Sequence, residues 1–473
     1  MRFLLVLVCF GILAAQPRHG VKPQRMVIRG ATVVEGNGTP AAGPVDIAIE
    51  NGVITAVGRA AAQPGDVVID AKGKYVLPGL INLHGHLHTE RGGVPMDPNY
   101  VLKLWLACGI TTVRDVGSAL TQTLNVRTKS ETGEIVAPHM FVYPMLGRVR
   151  DPEAARRRVQ EIKKAGADGF KIVGTWRDTM DAALDEAHKL GLPVAQHIGV
   201  EETRADDAIR NKVTSIEHWY GIPDAAIPGG VQNFPPSYNY MNEGDRFRWA
   251  GRLWREADWE KLTKLFDAMI ANNVAWDPTL EIYEASRDLQ RAQTQPWFGE
   301  YLHPVLAEFF KPNLQNHGSY FLNWSSTDEA YWKENYQIWM RAVREFARRG
   351  GTVGIGEDAG YIYQMYGFGF IRNLELHQEA GFHPLQIVQQ ATLNGARILG
   401  QEKKLGRVRV GWTADMLVVN GNPLEDFKLL YPVAANAGVK PGVEWTIKGG
   451  IPYSVPQLLS EVGAMVAKAK GVK

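Results

Sequence analysis

Between Met26 and Val76 apolar and polar positions alternate in short runs, RMVIRGATVV, VDIAIENGVITAVG and DVVIDAKGKYVL, separated by turn residues. A period of two places every second side chain on the same face, so these runs predict strands of a half-buried sheet. Asn51-Gly52, set between two alternating segments, is the residue pair that a two-residue hairpin turn favours. The same texture returns near the C-terminus in GRVRVGWTADMLVVNG and VEWTIKGGIPYSV. The two ends together predict a small β-sandwich built from residues 21–77 plus 403–473.

Between those ends the pattern changes. Short apolar runs, VLPGLINL, GITTVRDV, HMFVYPM, GFKIVG, PVAQHI, VTSIEH, VAWDPTL and TVGIGED, alternate with amphipathic stretches such as DPEAARRRVQEIKKAG, DTMDAALDEAHKLG and WEKLTKLFDAMIANN. Alternation of this kind predicts βα units and a parallel sheet. Eight such strands over residues 78–402 fit an α/β protein with a closed (β/α)8 TIM barrel. An open doubly wound sheet is the alternative, but the Gly-rich patch GYIYQMYGFGF lacks the strand–GxGxxG–helix setting of a dinucleotide site. The stretch from Ile222 to Trp254, aromatic and rich in Arg, Pro and Asn, predicts a large loop over the C-terminal mouth of the barrel.

Composition narrows the function classes. The chain has 473 residues, and 52 Lys and Arg against 50 Asp and Glu leave a formal charge of +2. That balance argues against a nucleic-acid or membrane-surface binder, which concentrates basic charge on one face. The opening MRFLLVLVCFGILAAQ, with Arg2, an apolar run from Phe3 to Ala15 and the small pair Ala14-Ala15, reads as a secretory signal peptide within a leader of residues 1–20. A retained hydrophobic anchor is the alternative. A secreted or periplasmic location is expected, without integral membrane association once the signal is cleaved. Cys9 lies inside that signal, so Cys108 is the one mature cysteine and no intramolecular disulfide is expected.

The chemistry begins with LHGH. His84 and His86 are two apart on an extended segment, which points both imidazoles to one side and within reach of one ion. An HxH pair alone is common without a metal. Here Lys171, His197, His218 and Asp358 also sit at or near the C-terminal ends of predicted strands, where barrel enzymes place their reactive groups. Lys171 stands among Phe170, Ile172 and Val173, and a lysine directed into a core needs a reason to be there.

These motifs, with ATLNGARILG and the terminal GRVRVGWTADMLVVNGNPLED, resemble the metal-dependent amidohydrolase superfamily, in its binuclear prolidase-like and imidazolonepropionase-like branch. The resemblance implies that His84, His86 and Asp358 bind one divalent ion, His197 and His218 a second, and that Lys171, carbamylated by CO2, bridges them. Imidazole and carboxylate ligands suit Zn2+, with Mn2+, Co2+ and Ni2+ also admitted. It further implies attack of a bridging hydroxide on an amide carbon, with Asp358 as the proton shuttle. A dipeptide or N-acyl amino acid is the expected substrate. The alternatives are a cyclic amidase or deaminase and, from another class, a non-catalytic binding protein on the same fold.

Glu357 stands where the family often has Thr or Ser, and is either a supporting partner or an outward-facing residue. The third strand ends in YPMLGRVRD, without the Gly-Gly-His turn of prolidase-like members, which leaves the substrate class open. Tyr220, Arg148 and Arg150 are the candidate substrate contacts: the resemblance implies that a tyrosine directly after the EH motif can meet a substrate carboxylate, and a guanidinium pairs well with one; solvated loop arginines are the plainer reading of the last two. Phe234, Tyr238, Tyr240, Phe247 and Trp249 either line a pocket or pack against a second copy in a homo-oligomer. His88 is read as a supporting residue, His139 as lying at the wrong strand end, His188 as solvated, and His303, His317, His377 and His383 as scaffold.

Overall fold

The computed structural model describes residues 15–117, 119–197, 203–230, 234–239, 242–314, 318–433 and 441–471. The apolar stretch of the expected signal peptide, with Cys9, and also Tyr240 and His317, lie outside the described residues.

Strands from the two ends meet in one eight-stranded sheet. Its path runs from Ile451–Ser454 through Val443–Lys448, Met416–Val419, Tyr75–Pro78, Arg25–Val33 and Ala42–Glu50 to Val53–Gly58, with Val67–Asp70 also paired to Arg25–Val33. Sequence-distant strands join because Met416–Val419 pairs antiparallel with Tyr75–Pro78. The expected hairpin forms at Asn51 and Gly52, both at positive φ. One face of the sheet buries Met26, Ile28, Ile47, Ile54, Met416 and Ile447 together, while Leu77, Leu417 and Val419 face the main core. This is the period-two pattern turned into two buried surfaces. Residues 406–412, read as part of a strand, form turns instead.

The middle of the chain carries parallel strands. Leu80–Gly85 pairs with Ile110–Val116, which pairs with His139–Tyr143. Phe170–Val173, Val194–His197, Ser215–Glu217 and Ala275–Asp277 follow in parallel register. The two sets are joined at Lys171, whose N–H donates to the Pro144 carbonyl at 2.9 Å and whose carbonyl accepts from Leu146 N–H at 2.8 Å. TVGIGED forms no ladder of its own. A single bridge, Val353 to Trp276, ties it to one side, and bonds from Leu83 N–H to the Ile355 carbonyl and from Asp358 N–H to the His84 carbonyl tie it to the first strand. Its glycines explain the close approach: a Cβ at Gly356 would lie 2.4 Å from the His84 Cβ and 2.6 Å from the His84 nitrogen. Backbone pairing thus passes from strand to strand and returns to the first.

Helices fill the intervals. Pro152–Lys164 begins at Asp151, whose carboxylate accepts from Glu153 and Ala154 N–H, with Pro152 in the first turn. Arg177–Leu190 ends at Gly191 in the left-handed conformation. The stretch read as one loop over the mouth instead holds helices Glu243–Ala250 and Leu253–Glu256. Among the described residues no helix is long and apolar enough to cross a membrane.

Candidate metal centre

His84 lies near the end of the first parallel strand and His86 directly after it, and every other predicted ligand reaches toward the pair. His86 Nε2 is 2.9 Å from Asp358 Oδ1, and His84 Nε2 is 3.8 Å from the same oxygen. Lys171 Nζ approaches His84 Nε2 to 2.8 Å. His218 Nε2 lies 3.6 Å from Asp358 Oδ2, and the His218 ring sits 4.6 Å from both the His84 and His197 rings. One donor atom from each of His84, His86 and Asp358 falls within 4.8 Å of the others. The six groups share one buried space, with Lys171 and His218 turned toward the rest.

Backbone strain helps aim them. His218 and Asp358 both take positive φ, at 62° and 48°, a conformation that costs a non-glycine residue on the order of 1–3 kcal/mol. Each is held there by its amide, His218 N–H to the Asp277 carbonyl and Asp358 N–H to the His84 carbonyl, both at 2.8 Å. Thr279, also at positive φ, sets its hydroxyl 2.6 Å from His218 Nδ1, which leaves Nε2 facing Asp358.

A charged network braces His84 from behind. Glu217 Oε2 lies 2.7 Å from His84 Nδ1, so a proton on Nδ1 leaves the Nε2 lone pair free. Arg114, fully buried, donates to both Glu217 oxygens at 2.8 and 2.9 Å, to Ser215 Oγ at 2.9 Å and to the Leu83 carbonyl. Asp277 adjoins them; burial and the Glu217 carboxylate hold its carboxyl well above the usual carboxylate range. Glu217 and Arg114 stand in the motifs SIEH and TTVRDV, but sequence reasoning assigned neither a role. The available signal was a charge inside an otherwise apolar strand, which a sheet covered on both faces does not tolerate alone.

The electrostatics favour uncharged nitrogen donors. Burial pushes the His84 imidazole well below its ordinary pKa, and the positive neighbours Lys171, His218, His86 and Arg114 push the same way. Burial lowers His86 as well, against the pull of Asp358. The Lys171 amine is shifted down by burial, against the attraction of Asp358 and Glu217. Among the described residues Glu281, fully buried beyond the last paired strand, has no hydrogen-bond partner at either carboxyl oxygen. Burial, with Glu357 and Asp358 nearby, holds its carboxyl well above the usual range.

Glu357 is not outward-facing. It is fully buried and accepts hydrogen bonds from Trp105 Nε1, from Gly367 N–H at 2.7 Å and from Phe370 N–H at 3.2 Å, which fixes it to the start of helix Phe368–Glu379. Burial lifts its carboxyl up to about 7.

Of the expected substrate contacts, Tyr220 lies against the cluster, its ring stacked 4.7 Å from that of His197 with Tyr283 5.8 Å away. Phe247 packs behind it at 6.1 Å, whereas Phe234, Tyr238 and Trp249 cluster with one another. Arg148 and Arg150 stand exposed after the third parallel strand, with Arg150 over the exposed ring of Trp176. His88 bonds Tyr366 at 2.6 Å, and His139 lies at the opposite strand end beside Asp415 and Glu131. His188 is exposed on its helix. Cys108 is a buried free thiol ending helix Pro98–Ala107.

The donor chemistry fits a divalent cation. Imidazole nitrogens and a carboxylate oxygen converge with their other atoms already committed to Glu217 and Thr279.

Known proteins share parts of this sequence and most of the fold. A dihydroorotase of Thermoanaerobacter sp. is 44% identical over 63 residues, 13% of this chain and 14% of that protein. A D-hydantoinase of Geobacillus stearothermophilus is 28% identical over 166 residues, 32% of this chain and 35% of that protein. The chain therefore spans about a third or less of the length of these two relatives. The crystal structure of a Xaa-Pro dipeptidase with bound methionine in its active site superposes with a TM-score of 0.65 at 21% identity, covering 91% of this chain and 100% of that one. The family description "Amidohydrolase family" matches residues 75–232 and 334–450. Those two blocks make up more than half of the sequence and contain five of the six clustered groups in the first and the sixth in the second, so the chain belongs to the amidohydrolase family.

Proposed function

We propose that this protein is a metal-dependent hydrolase of C–N bonds, acting on the amide of a dipeptide or an N-acyl amino acid. The observation that carries the reading is the convergence of His84, His86, Lys171, His197, His218 and Asp358 around one buried space. In this reading the ring of parallel pairings is a (β/α)8 barrel over residues 78–402, and residues 21–77 plus 403–473 form the composite β domain. The leader of residues 1–20 directs secretion.

His84, His86 and Asp358 would hold one divalent ion and His197 and His218 a second, with Zn2+ favoured by the nitrogen-rich donor set. Lys171 would bridge them as its carbamate. The downward shift of the buried Lys171 amine supports that modification, because the neutral amine adds to CO2 and releases one proton. When bound, the ions supply Lewis acidity, polarising a carbonyl and making water nucleophilic at neutral pH.

The residues themselves do the rest. Glu217 and Thr279 hold His84 and His218 in the tautomers that present Nε2 to the cluster. Asp358, partly accessible and in reach of both His86 and His218, takes the proton of the attacking water and returns it to the leaving nitrogen. Tyr220, Tyr283 and Phe247 wall one side and exclude bulk water, with the Tyr220 phenol as a substrate contact. Arg148 and Arg150 remain contacts of the exposed rim.

A cyclic amide is the second reading, supported by the similarity to a D-hydantoinase and a dihydroorotase. Turnover of dipeptides, N-acyl amino acids and cyclic amides by protein reconstituted with Zn2+ and bicarbonate tests both. Two fragments from a linear amide support the proposal, and an opened ring or released ammonia replaces it with the second. Metal content near zero after reconstitution supports a binding protein instead.

A further inference from the structure

Arg91 occupies a place that a solvated arginine does not. It lies on a short hairpin, Glu90–Arg91 paired with Val94–Pro95, immediately after the histidine pair. Its neighbour Glu90 and both residues of the partner strand are exposed, yet Arg91 is 8% exposed. The guanidinium carbon sits 4.1 Å above the Tyr361 ring and 4.8 Å from the Phe309 ring. One terminal nitrogen donates to His88 Nδ1 at 2.8 Å. Among the described residues Arg91 makes no ion pair with any carboxylate, and its buried Nε has no hydrogen-bond partner. The Arg91 cation is therefore sheltered and without a counter-charge.

Burying an unpaired cation is costly, and aromatic faces offset only part of that cost. The rings cover the faces of the guanidinium, and its N–H edge, part of which is spent on His88 and Tyr366, is the edge that meets a carboxylate. Position supplies the rest. Tyr361 presents its ring edge-on to His86 at 5.7 Å, so Arg91 is separated from the metal centre by one aromatic side chain. Tyr220 stacks on His197 at the other end of the row His197, His218, His84, His86. Tyr220 and Arg91 thus stand by different members of the cluster, Tyr220 by His197 and Arg91, through Tyr361, by His86.

We propose that Arg91 is the specificity-determining residue of this site, receiving the carboxylate of the substrate while the amide lies over the histidine cluster and Tyr220 meets the opposite end. This rests on the hydrolase reading above.

The test compares N-acetyl-L-leucine with N-acetyl-L-leucinamide on the Zn2+- and bicarbonate-reconstituted protein, by turnover and by calorimetric binding. Wild type is expected to favour the acid by about 10- to 100-fold, the range of a hydrogen bond to a charged group. Arg91→Met should bring that ratio close to one, mainly through KM, and Arg91→Lys should keep part of it, which also serves if the first variant fails to fold. A ratio that persists in Arg91→Met while both probes fall together assigns Arg91 a structural role and overturns the proposal. A wild type without preference overturns it too, as does a preference lost in Tyr220→Phe and kept in Arg91→Met. If wild type cleaves no C–N bond at all, the hydrolase reading fails, and an Arg91-dependent acid preference in calorimetry still supports the anion site by itself.

Discussion

Each group of the cluster is set by what stands behind it. Asp358 takes a left-handed backbone so that its carboxylate, rather than that of its neighbour Glu357, faces the histidines. Asp358→Asn is expected to lower kcat by roughly 10²–10⁴-fold. Full turnover with the metals still bound excludes the shuttle role. Glu217 is the corresponding support for His84. Glu217→Ala leaves the buried Arg114 guanidinium without its bidentate partner, and denaturant unfolding should show a loss of about 3–5 kcal/mol. The same change should weaken Zn2+ binding by roughly 10- to 100-fold in a competition titration, because His84 loses the acceptor that sets its tautomer. Glu217→Gln, which keeps an acceptor oxygen, should recover part of that affinity.

Among the elements, the eighth stretch depends most on glycine. Gly356 has no room for a methyl group against His84 and Asp277. Gly356→Ala should therefore displace Asp358 from the histidines, and cost of order 1–3 kcal/mol from overpacking. A variant with unchanged melting temperature and metal affinity contradicts this packing. At the opposite end of the ring, His139 links the third parallel strand to the terminal sheet through Asp415. Burial opposes its charge, yet Asp415 and Glu131 outweigh it and lift the imidazole up to about 9. The folded value lies above the ordinary 6.5, so the contribution is complete below pH 6.5 and is lost as pH rises through 9. That difference corresponds to about 3–4 kcal/mol. Stability measured from pH 6 to 10 should fall more steeply in wild type than in His139→Gln, and parallel curves reject the linkage.

For the whole molecule, binding of ions by the folded chain alone adds stability by mass action. Dialysis against a chelator should lower the melting temperature and abolish turnover together, and Zn2+ with bicarbonate should restore both. Recovery with Zn2+ in CO2-depleted buffer at the same rate and extent removes the carbamate from Lys171.

Much of this architecture was readable along the chain, for a local reason. Alternation at period two marked Arg25–Val33 and Ala42–Glu50, and apolar runs separated by amphipathic stretches marked the parallel strands, since burial of one face repeats over adjacent residues. The six ligand-type residues stood at predicted strand ends, and in the structure they lie together. Helices Glu243–Ala250 and Leu253–Glu256 are too short to show a period among prolines and asparagines, so that stretch read as a loop. Tertiary structure alone decided that Glu217 braces His84 across 133 positions, that Arg114 joins them, that Glu357 turns toward a helix start and that Arg91 has no counter-charge among the described residues. Local burial writes a periodic signal into neighbouring residues. A contact between distant side chains is fixed by the closing of the backbone ring and has no period to read.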